Sequence, residues 1–355
     1  MTLTTVGRFL RECMPKAVRR SVTTRLRKRV DSTLTPDAEQ RQSQQANPWN
    51  TGMSYDYSTM WLGAEICQAY ITERTSGSAG LHWLSYAIQN YMLIRPQEDL
   101  ARCRVLVLGA NEGYAERELC SHGFTGEIVS TDIADKALAR AKQRSEQLGY
   151  HNVRHVIHDL NVAPEDKFGG QFDFIIAEGV LHHIANIESC LHMCNDLLKA
   201  DGYMFAVEFE GPFRFQLSEL QTRWINAALN VMPRCLRPLP HQHDGHYPAT
   251  VVENQHISYV VPPAETIASL DPSEALVGPE LQRLIPEIFA VAERKGFGGT
   301  LLSYMTAHFD FKRSNTDPFA ARWLKVLMEI EHALIDTGIL HDEFVFYVLK
   351  KKAAV

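Results

Sequence analysis

The sequence has 355 residues, of which 45% are hydrophobic and 22% are charged, a composition typical of globular proteins with room for one large domain or two. No run of about 18 apolar residues occurs, so no membrane-spanning helix is expected. The net charge of −6 hides an asymmetry, because residues 1–30 carry nine Lys or Arg and one acid, which gives them +8 and leaves −14 for the rest. An acidic body of this kind argues against nucleic-acid binding.

The seven cysteines are scattered, form no C-x-x-C pair and follow no signal peptide, so we expect reduced thiols in a cytoplasmic protein. Cys190-x-His192-x-Cys194 has a spacing that suggests a metal site. It lies within a predicted amphipathic helix, however, where cysteines more commonly pack in the core.

The first 46 residues are predicted to form a basic arm and a linker. Apolar residues recur at every fourth position from Val6 to Val30, which predicts a basic amphipathic helix across residues 1–30. Such a helix favours peripheral contact with the inner face of a membrane, while packing on a partner or exposure to solvent is an equal alternative. Residues 31–46 are polar and predict a linker, and residues 47–100 are rich in Trp and Tyr and predict a helical cap.

The most informative stretch of the sequence is a glycine-containing turn between a predicted strand and a predicted helix. Val105 to Leu108 form a short apolar run, as expected for a parallel strand buried on both faces. Gly109 and Gly113 allow the backbone to pass close to a ligand, and a helix starting near Tyr114 directs its first N–H groups at the turn. We therefore expect the nucleotide-cradling βα turn of a doubly wound α/β domain.

The spacing of the glycines indicates the class of ligand. A dinucleotide fingerprint requires G-x-G-x-x-G, but the second and third glycine positions hold Asn111 and Tyr114. The observed pattern is G-x-N-x-G. Because Asn is the non-glycine residue that best tolerates positive φ, the turn is expected to keep its shape.

Further strands are predicted at residues 127–132, 153–157, 172–177, 203–208, 289–295 and 343–350, and the last is expected to be antiparallel. The second strand ends in Asp132, an acid suited to accept hydrogen bonds from ribose hydroxyls. The third is followed by Asp159, and the fourth by Glu178 and the pair His182 and His183. Side chains that follow parallel strands meet at one edge of the sheet, where such folds bind ligands.

The segments V-L-G-A-N-E-G, S-T-D, H-D-L, F-D-F-I-I-A-E-G-V-L-H-H-I and L-L-K-A-D-G follow one another over residues 100–210. Together they resemble class I S-adenosylmethionine (SAM) methyltransferases. The resemblance implies a Rossmann-like α/β fold with a seven-stranded, mostly parallel sheet, an antiparallel last strand, an N-terminal helical cap and a lid insertion after strand five. It implies SAM as the cofactor, bound by Gly109, Ala110, Asn111, Gly113, Asp132, Ile133, Asp159, Leu160 and Glu178.

The sequence departs from the family pattern at two positions of the first motif. Asn111 replaces a glycine, and Val107 stands where an acid is common, which removes one usual contact near the methionine end of SAM. Glu112 and Glu116 are the nearby acids that could replace this contact.

The segments E-F-E-G-P-F-R-F-Q, D-P-S-E-A and G-G-T-L-L are similar to those of a bacterial subgroup often found in surface-polysaccharide gene clusters. The predicted organisation is an arm and linker at 1–46, a cap at 47–100, a SAM-binding core at 101–210, an acceptor lid at 211–285 and the rest of the core sheet at 286–355.

Methyl transfer from a sulfonium requires alignment of the acceptor, and a hydroxyl acceptor must also lose a proton to a base. His182 is the preferred base, with His183 and Glu210 as alternatives, and Glu208, Arg214 and Gln216 are predicted to orient the acceptor. The fourth strand ends in A-E-G-V and lacks the [DNS]-P-P-[YFW] motif of many amine-directed methyltransferases. The acceptor atom is therefore expected to be oxygen or carbon.

Three functions remain open at this point. The first is O-methylation of a sugar or glycan intermediate, and the second is methylation of another small molecule such as a quinone, polyketide or lipid. The third is a non-catalytic protein that binds its ligand on the same fold. The segment His241-Gln-His-Asp-Gly-His246 suggests a metal, but a polar loop is the more common reading, so we expect no metal. The oligomeric state does not follow from the sequence.

Overall fold

The computed structural model describes residues 57–164, 166–237 and 258–352. The predicted arm and linker, and the histidine segment at 241–246, lie outside these ranges. The described residues belong to one compact unit that spans residues 42–355. Within them, no helix has both the length and the apolar character that crossing a membrane would require.

A seven-stranded sheet in the order β3-β2-β1-β4-β5-β7-β6 forms the centre of this unit. Strands β1 to β5 run parallel to one another, while β7 runs antiparallel to both β5 and β6. The strands are β1 (Arg104–Leu108), β2 (Glu127–Asp132), β3 (Val153–Ile157), β4 (Phe172–Glu178), β5 (Leu198–Phe209), β6 (Phe289–Gly296) and β7 (Phe344–Lys351). The predicted fold class, including the antiparallel last strand, is confirmed.

Helices cover both faces of the sheet. They are α1 (Glu65–Ser76), α2 (Trp83–Ala87), α3 (Gln97–Leu100), α4 (Tyr114–Ser121), α5 (Asp135–Gln147), α6 (Ile187–Leu197), α7 (Glu219–Val231), α8 (Ala264–Leu270), α9 (Gly278–Ile288) and α10 (Pro318–Asp336). A π-helical turn, Ile88–Met92, continues α2. Short 3-10 turns at Leu181–His183 and Phe213–Phe215 lie at the carboxyl edge of the sheet.

The apolar residues of strand β1 are buried on both faces of the sheet. Val105 and Val107 belong to the hydrophobic cluster on one face, and Leu106 and Leu108 belong to the cluster on the other. Alternate side chains of a strand point to opposite faces, so a continuous apolar run is buried on both sides. In α6, Cys190 and Cys194 are buried in the second cluster while His192 is exposed, which confirms core packing of these cysteines.

The aromatic residues before β1 pack on the β6–β7 side of the sheet. Trp61 contacts Phe344 with ring centroids 5.5 Å apart, and Trp83 contacts Phe346 at 5.6 Å. Each tryptophan is only 3% exposed. Burial of large aromatic side chains contributes strongly to core stability, and it holds this N-terminal segment against the strands that end next to the candidate site.

Candidate active site

The turn between β1 and α4 has the backbone that the glycine pattern predicts. Gly109, Asn111 and Gly113 adopt φ values of +62°, +46° and +76°. A Cβ atom on Gly109 would lie 2.5 Å from Cγ2 of Val180, so the glycine is required by the close approach of the segment that follows β4. This contact places the β1 turn and the β4 end side by side.

Asp132 joins this turn to the end of β2. Its Oδ2 accepts a hydrogen bond from the backbone N–H of Asn111 at 2.7 Å, and its Oδ1 accepts one from Ala134 at 2.8 Å. Burial raises the pKa of Asp132, although these backbone donors act in the opposite direction. Contact with the ribose stays a prediction.

The other predicted cofactor residues surround the same edge. Asp159 accepts hydrogen bonds from the backbone N–H and the side-chain amide of Asn161, at 2.9 and 2.8 Å, and so stabilises the turn after β3. Ala110 and Leu160 are buried, and Ile133 is half-buried. Their contacts with SAM stay predictions.

Glu178 ends β4 and is exposed to solvent. Desolvation by the surrounding protein raises the pKa of Glu178 to about 7, with a smaller contribution from the charge of Glu208, while the Trp83 side chain acts in the opposite direction. Tyr114, the first residue of α4, interacts electrostatically with Glu178 and makes an edge-on ring contact with His82 at 5.8 Å. The segment before the sheet therefore reaches the end of β4.

The two acids considered as replacements at the methionine end have protein partners. Glu112 forms ion pairs with Arg140 at 2.9 Å and Arg144 at 3.4 Å on α5. Glu116 is fully buried and accepts a hydrogen bond from the Ser130 hydroxyl.

His182 and Glu208 form a buried pair at the ends of β4 and β5. Glu208 is 1% exposed, and its Oε1 accepts hydrogen bonds from the backbone N–H groups of Val180 and Leu181 at 2.9 and 2.8 Å. Its Oε2 lies 2.9 Å from Nδ1 of His182. Because the carboxylate acts as the acceptor, Nδ1 carries a proton, and in the neutral imidazole Nε2 carries the lone pair. Burial alone would lower the pKa of His182, but the hydrogen bond and charge of Glu208 outweigh it and raise that pKa.

His183 points to a different partner, which belongs to the last part of the predicted lid. Its Nδ1 lies 3.0 Å from Oγ of Ser273, whose hydroxyl donates to Asp271 at 2.6 Å. Since Ser273 has one hydroxyl hydrogen, Nδ1 of His183 is the donor in this contact. Burial and the neighbouring His182 lower the pKa of His183. Glu274 completes the group, with Oε1 3.7 Å from Nε2 of His182.

Arg214, predicted to contact the acceptor, holds this segment in place, and its contact with the acceptor stays a prediction. It is 5% exposed, and its Nη1 donates to the carbonyl oxygens of Asp271 and Glu274 at 2.9 and 3.0 Å, while Nη2 donates to that of Pro272. Its φ of +51° is unusual for a non-glycine residue, so the surrounding contacts compensate a local strain. Gln216 donates to the carbonyl oxygens of Arg214 and Pro262.

Glu210, one of the three candidate bases, also has hydrogen-bond partners within the protein. It is 2% exposed and accepts hydrogen bonds from Tyr347 and Arg294, the latter at 2.9 Å. Burial raises its pKa despite these donors. Of the three candidates, the structure brings His182 and His183 together and directs Glu210 toward β6 and β7.

Asp271, Ser273 and Glu274 are the site residues that sequence reasoning missed. The D-P-S-E-A segment is a point of similarity in the sequence, but the contact of its Ser273 with His183 spans 90 positions. Within the described ranges, one ring nitrogen of each histidine and a carboxylate oxygen of Glu274 lie within 4.8 Å of one another, so these three side chains could also hold a metal ion.

Part of the chain matches a known family model, and several known proteins are similar to it. Residues 100–255 match a family model described as a methyltransferase domain. A non-reducing polyketide synthase, nvfA, of Aspergillus novofumigatus is 26% identical over 37% of this chain and 6% of its own length. A highly reducing polyketide synthase of Aspergillus nomiae is 30% identical over 36% of this chain and 5% of its own length. The chain thus spans about one-twentieth of the length of the curated relatives it matches.

Among solved structures, a putative sarcosine dimethylglycine methyltransferase from Galdieria sulphuraria is similar, with a TM-score of 0.41 and 14% identity over 76% of this chain and 84% of that one. The match over residues 100–255 indicates a methyltransferase domain, and SAM is the methyl donor of that class.

Proposed function

We propose that the chain transfers a methyl group from SAM to an oxygen or carbon atom of a small-molecule acceptor, and that His182 removes the acceptor's proton. One observation carries the proposal: the buried carboxylate of Glu208 receives Nδ1 of His182 and two backbone N–H groups of the same segment. This arrangement fixes both the ring orientation and the tautomer of the imidazole.

The chemistry follows from that tautomer. SAM, when bound, would supply the methyl group and take the electron pair of the C–S bond into the thioether of S-adenosylhomocysteine, while the site would hold the acceptor in line with that bond. The acceptor's proton moves to the lone pair on Nε2 of His182, which becomes an imidazolium stabilised by Glu208. A positioned base of this kind contributes about 10²- to 10⁴-fold to the rate.

This mechanism gives the predicted acceptor residues other roles. Glu208 acts on His182, because its carboxylate is buried and its oxygens accept from the protein. Arg214 positions the 271–274 segment beside the histidine pair, because its donors are directed at three carbonyl oxygens of that segment. Glu274 lies 3.7 Å from Nε2 of His182 and is our candidate to contact the acceptor.

Two acceptor classes have separate support. The named relatives are polyketide synthases, which favours an enolisable carbon or a phenolic oxygen of a polyketide. The segments similar to the polysaccharide-associated subgroup, residues 208–216 and 271–275, meet at the histidine pair, which favours a sugar hydroxyl. An acceptor of either class must lose a proton during methyl transfer. His182, paired with Glu208, is the proposed base that takes this proton.

The proposal is tested by incubating the purified chain with methyl-labelled SAM and two acceptor panels, β-ketoacyl thioesters and phenols in one, and sugars and lipid-linked sugars in the other. We expect label in one panel, with an equal amount of S-adenosylhomocysteine. Transfer to amines alone would contradict a proton-abstracting site for oxygen or carbon.

A further inference from the structure

His182, His183 and Glu274 bring two imidazoles and one carboxylate together at the carboxyl edge of the sheet. One ring nitrogen of each histidine and a carboxylate oxygen of Glu274 lie within 4.8 Å of one another, and Nε2 of His182 is 3.7 Å from Oε1 of Glu274. Tetrahedral zinc, bound to nitrogen and oxygen at about 2.0–2.2 Å, holds its ligands roughly 3.4 Å apart. Small side-chain adjustments would therefore let these three residues enclose such an ion.

The hydrogen bonds of both histidines favour metal binding. Nδ1 of His182 lies 2.9 Å from the Glu208 carboxylate, and Nδ1 of His183 donates to Oγ of Ser273 at 3.0 Å. In the neutral rings, the lone pair is therefore on Nε2. A histidine that ligates a metal typically donates its other ring N–H to a carboxylate or another oxygen, which fixes the ring and raises its basicity. Both histidines already make this outer hydrogen bond.

The charges around the two histidines also favour a cation. Three carboxylates lie next to the rings, those of Glu208, Asp271 and Glu274. The guanidinium of Arg214, which holds the backbone of the same segment, offsets one of the three negative charges. Imidazole nitrogens select Zn²⁺ and similar transition-metal ions, whereas Mg²⁺ and Ca²⁺ prefer oxygen ligands.

We propose that His182, His183 and Glu274 bind Zn²⁺ or a similar divalent transition-metal ion, and that the bound ion inhibits methyl transfer. The inference rests on the proposed function, because the lone pair on Nε2 of His182 that would ligate the metal is the one that would receive the acceptor's proton. One lone pair cannot serve both purposes. The ion would also occupy Glu274, the candidate contact of the acceptor, so metal and acceptor would compete for the site.

Metal binding is measured without SAM or acceptor. The full chain is freed of metal by a chelator and titrated with Co²⁺, a spectroscopic substitute for Zn²⁺ whose four-coordinate complexes absorb in the visible range. Wild type should show this absorption band, and added Zn²⁺ should remove it. His183→Ala and Glu274→Ala should lose the band, and Glu208→Gln should weaken Co²⁺ binding by about 10- to 100-fold because the outer hydrogen bond of His182 is lost.

Two variants on α6 serve as matched controls. His192→Ala and Glu188→Ala change an exposed histidine and an exposed acid, and both should bind Co²⁺ like wild type. Glu274 is half-buried, so Glu274→Ala should fold even if His183→Ala does not. The absence of a band in wild type would overturn the inference. The same band in Glu274→Ala would also overturn it, because the metal would then be bound by other residues.

Inhibition is measured with an acceptor identified by the panels. Transfer by wild type should proceed in excess chelator, fall in proportion to the fraction of the site filled by Zn²⁺, and return when chelator is added again. Full transfer with the site filled would overturn the inhibitory role. Transfer that requires Zn²⁺ would overturn both that role and His182 as the base, whereas a missing Co²⁺ band with normal transfer would overturn this inference alone.

Discussion

Replacing Glu208 with Gln should invert the tautomer of His182. Both Val180 and Leu181 donate to the same oxygen, Oε1, which the glutamine carbonyl can replace. The amide nitrogen then takes the place of Oε2, 2.9 Å from Nδ1 of His182. Two N–H groups cannot face each other, so the imidazole proton must move to Nε2, and the lone pair leaves the acceptor side.

The expected cost is a fall in turnover of about 10²- to 10⁴-fold, or about 3–5 kcal/mol of transition-state stabilisation, with SAM affinity unchanged. Because the two residues act as a unit, Glu208→Gln combined with His182→Ala should be no slower than either change alone. Long-range ¹H–¹⁵N spectra of the imidazole report the tautomer without any acceptor. A wild-type His182 protonated at Nε2, or full turnover in Glu208→Gln, would refute the reasoning.

Four further expectations follow from individual contacts. Asp132→Ala should weaken SAM binding by about 1–3 kcal/mol, because the N–H groups of Asn111 and Ala134 lose their acceptor; unchanged calorimetric affinity would remove Asp132 from the cofactor site. Gly109→Val should abolish SAM binding, since its Cβ would lie 2.5 Å from Val180 at a φ of +62°; retained binding would contradict that reason. Burial raises the pKa of Glu343 from 4.5 to about 8. Between these two pH values the folded state binds a proton that the unfolded state does not, so the free energy of unfolding should fall as the pH rises from about 4.5 to about 8. Glu343→Gln should flatten the dependence of the unfolding temperature on pH, whereas Glu280→Gln, a change at an exposed acid, should not. The same pH dependence in wild type and Glu343→Gln would contradict this role of Glu343. Deleting residues 1–31 should abolish co-sedimentation with anionic liposomes at low salt and leave SAM binding intact, because the deleted stretch carries the excess of basic residues; equal sedimentation of both proteins would disprove membrane contact.

The fold and the cofactor turn were predictable because their signals are local. The run from Val105 to Leu108 specifies a buried strand, and Gly109 and Gly113 specify positive φ, whatever the rest of the chain does. Asn111 adopts a φ of +46°, as its tolerance of that region predicts.

The partners of the site residues were not predictable in the same way. Arg214 and Glu210 have side chains suited to an acceptor, yet the structure directs them at carbonyls of residues 271–274 and at Arg294. These contacts join positions far apart in sequence, and only the order of strands β4, β5 and β7 brings them together. The residue types therefore indicated which acids and bases lie at the carboxyl edge of the sheet, but not which of their side chains faces the ligand.

The central claim is that His182 accepts the acceptor's proton during methyl transfer. A single-turnover measurement with methyl-labelled SAM and an acceptor identified by the panels compares wild type, His182→Ala and His192→Ala, an exposed histidine of α6. The account predicts full transfer in wild type and His192→Ala, and a rate lower by about 10²- to 10⁴-fold in His182→Ala with SAM still bound. Transfer by His182→Ala at the wild-type rate would contradict it.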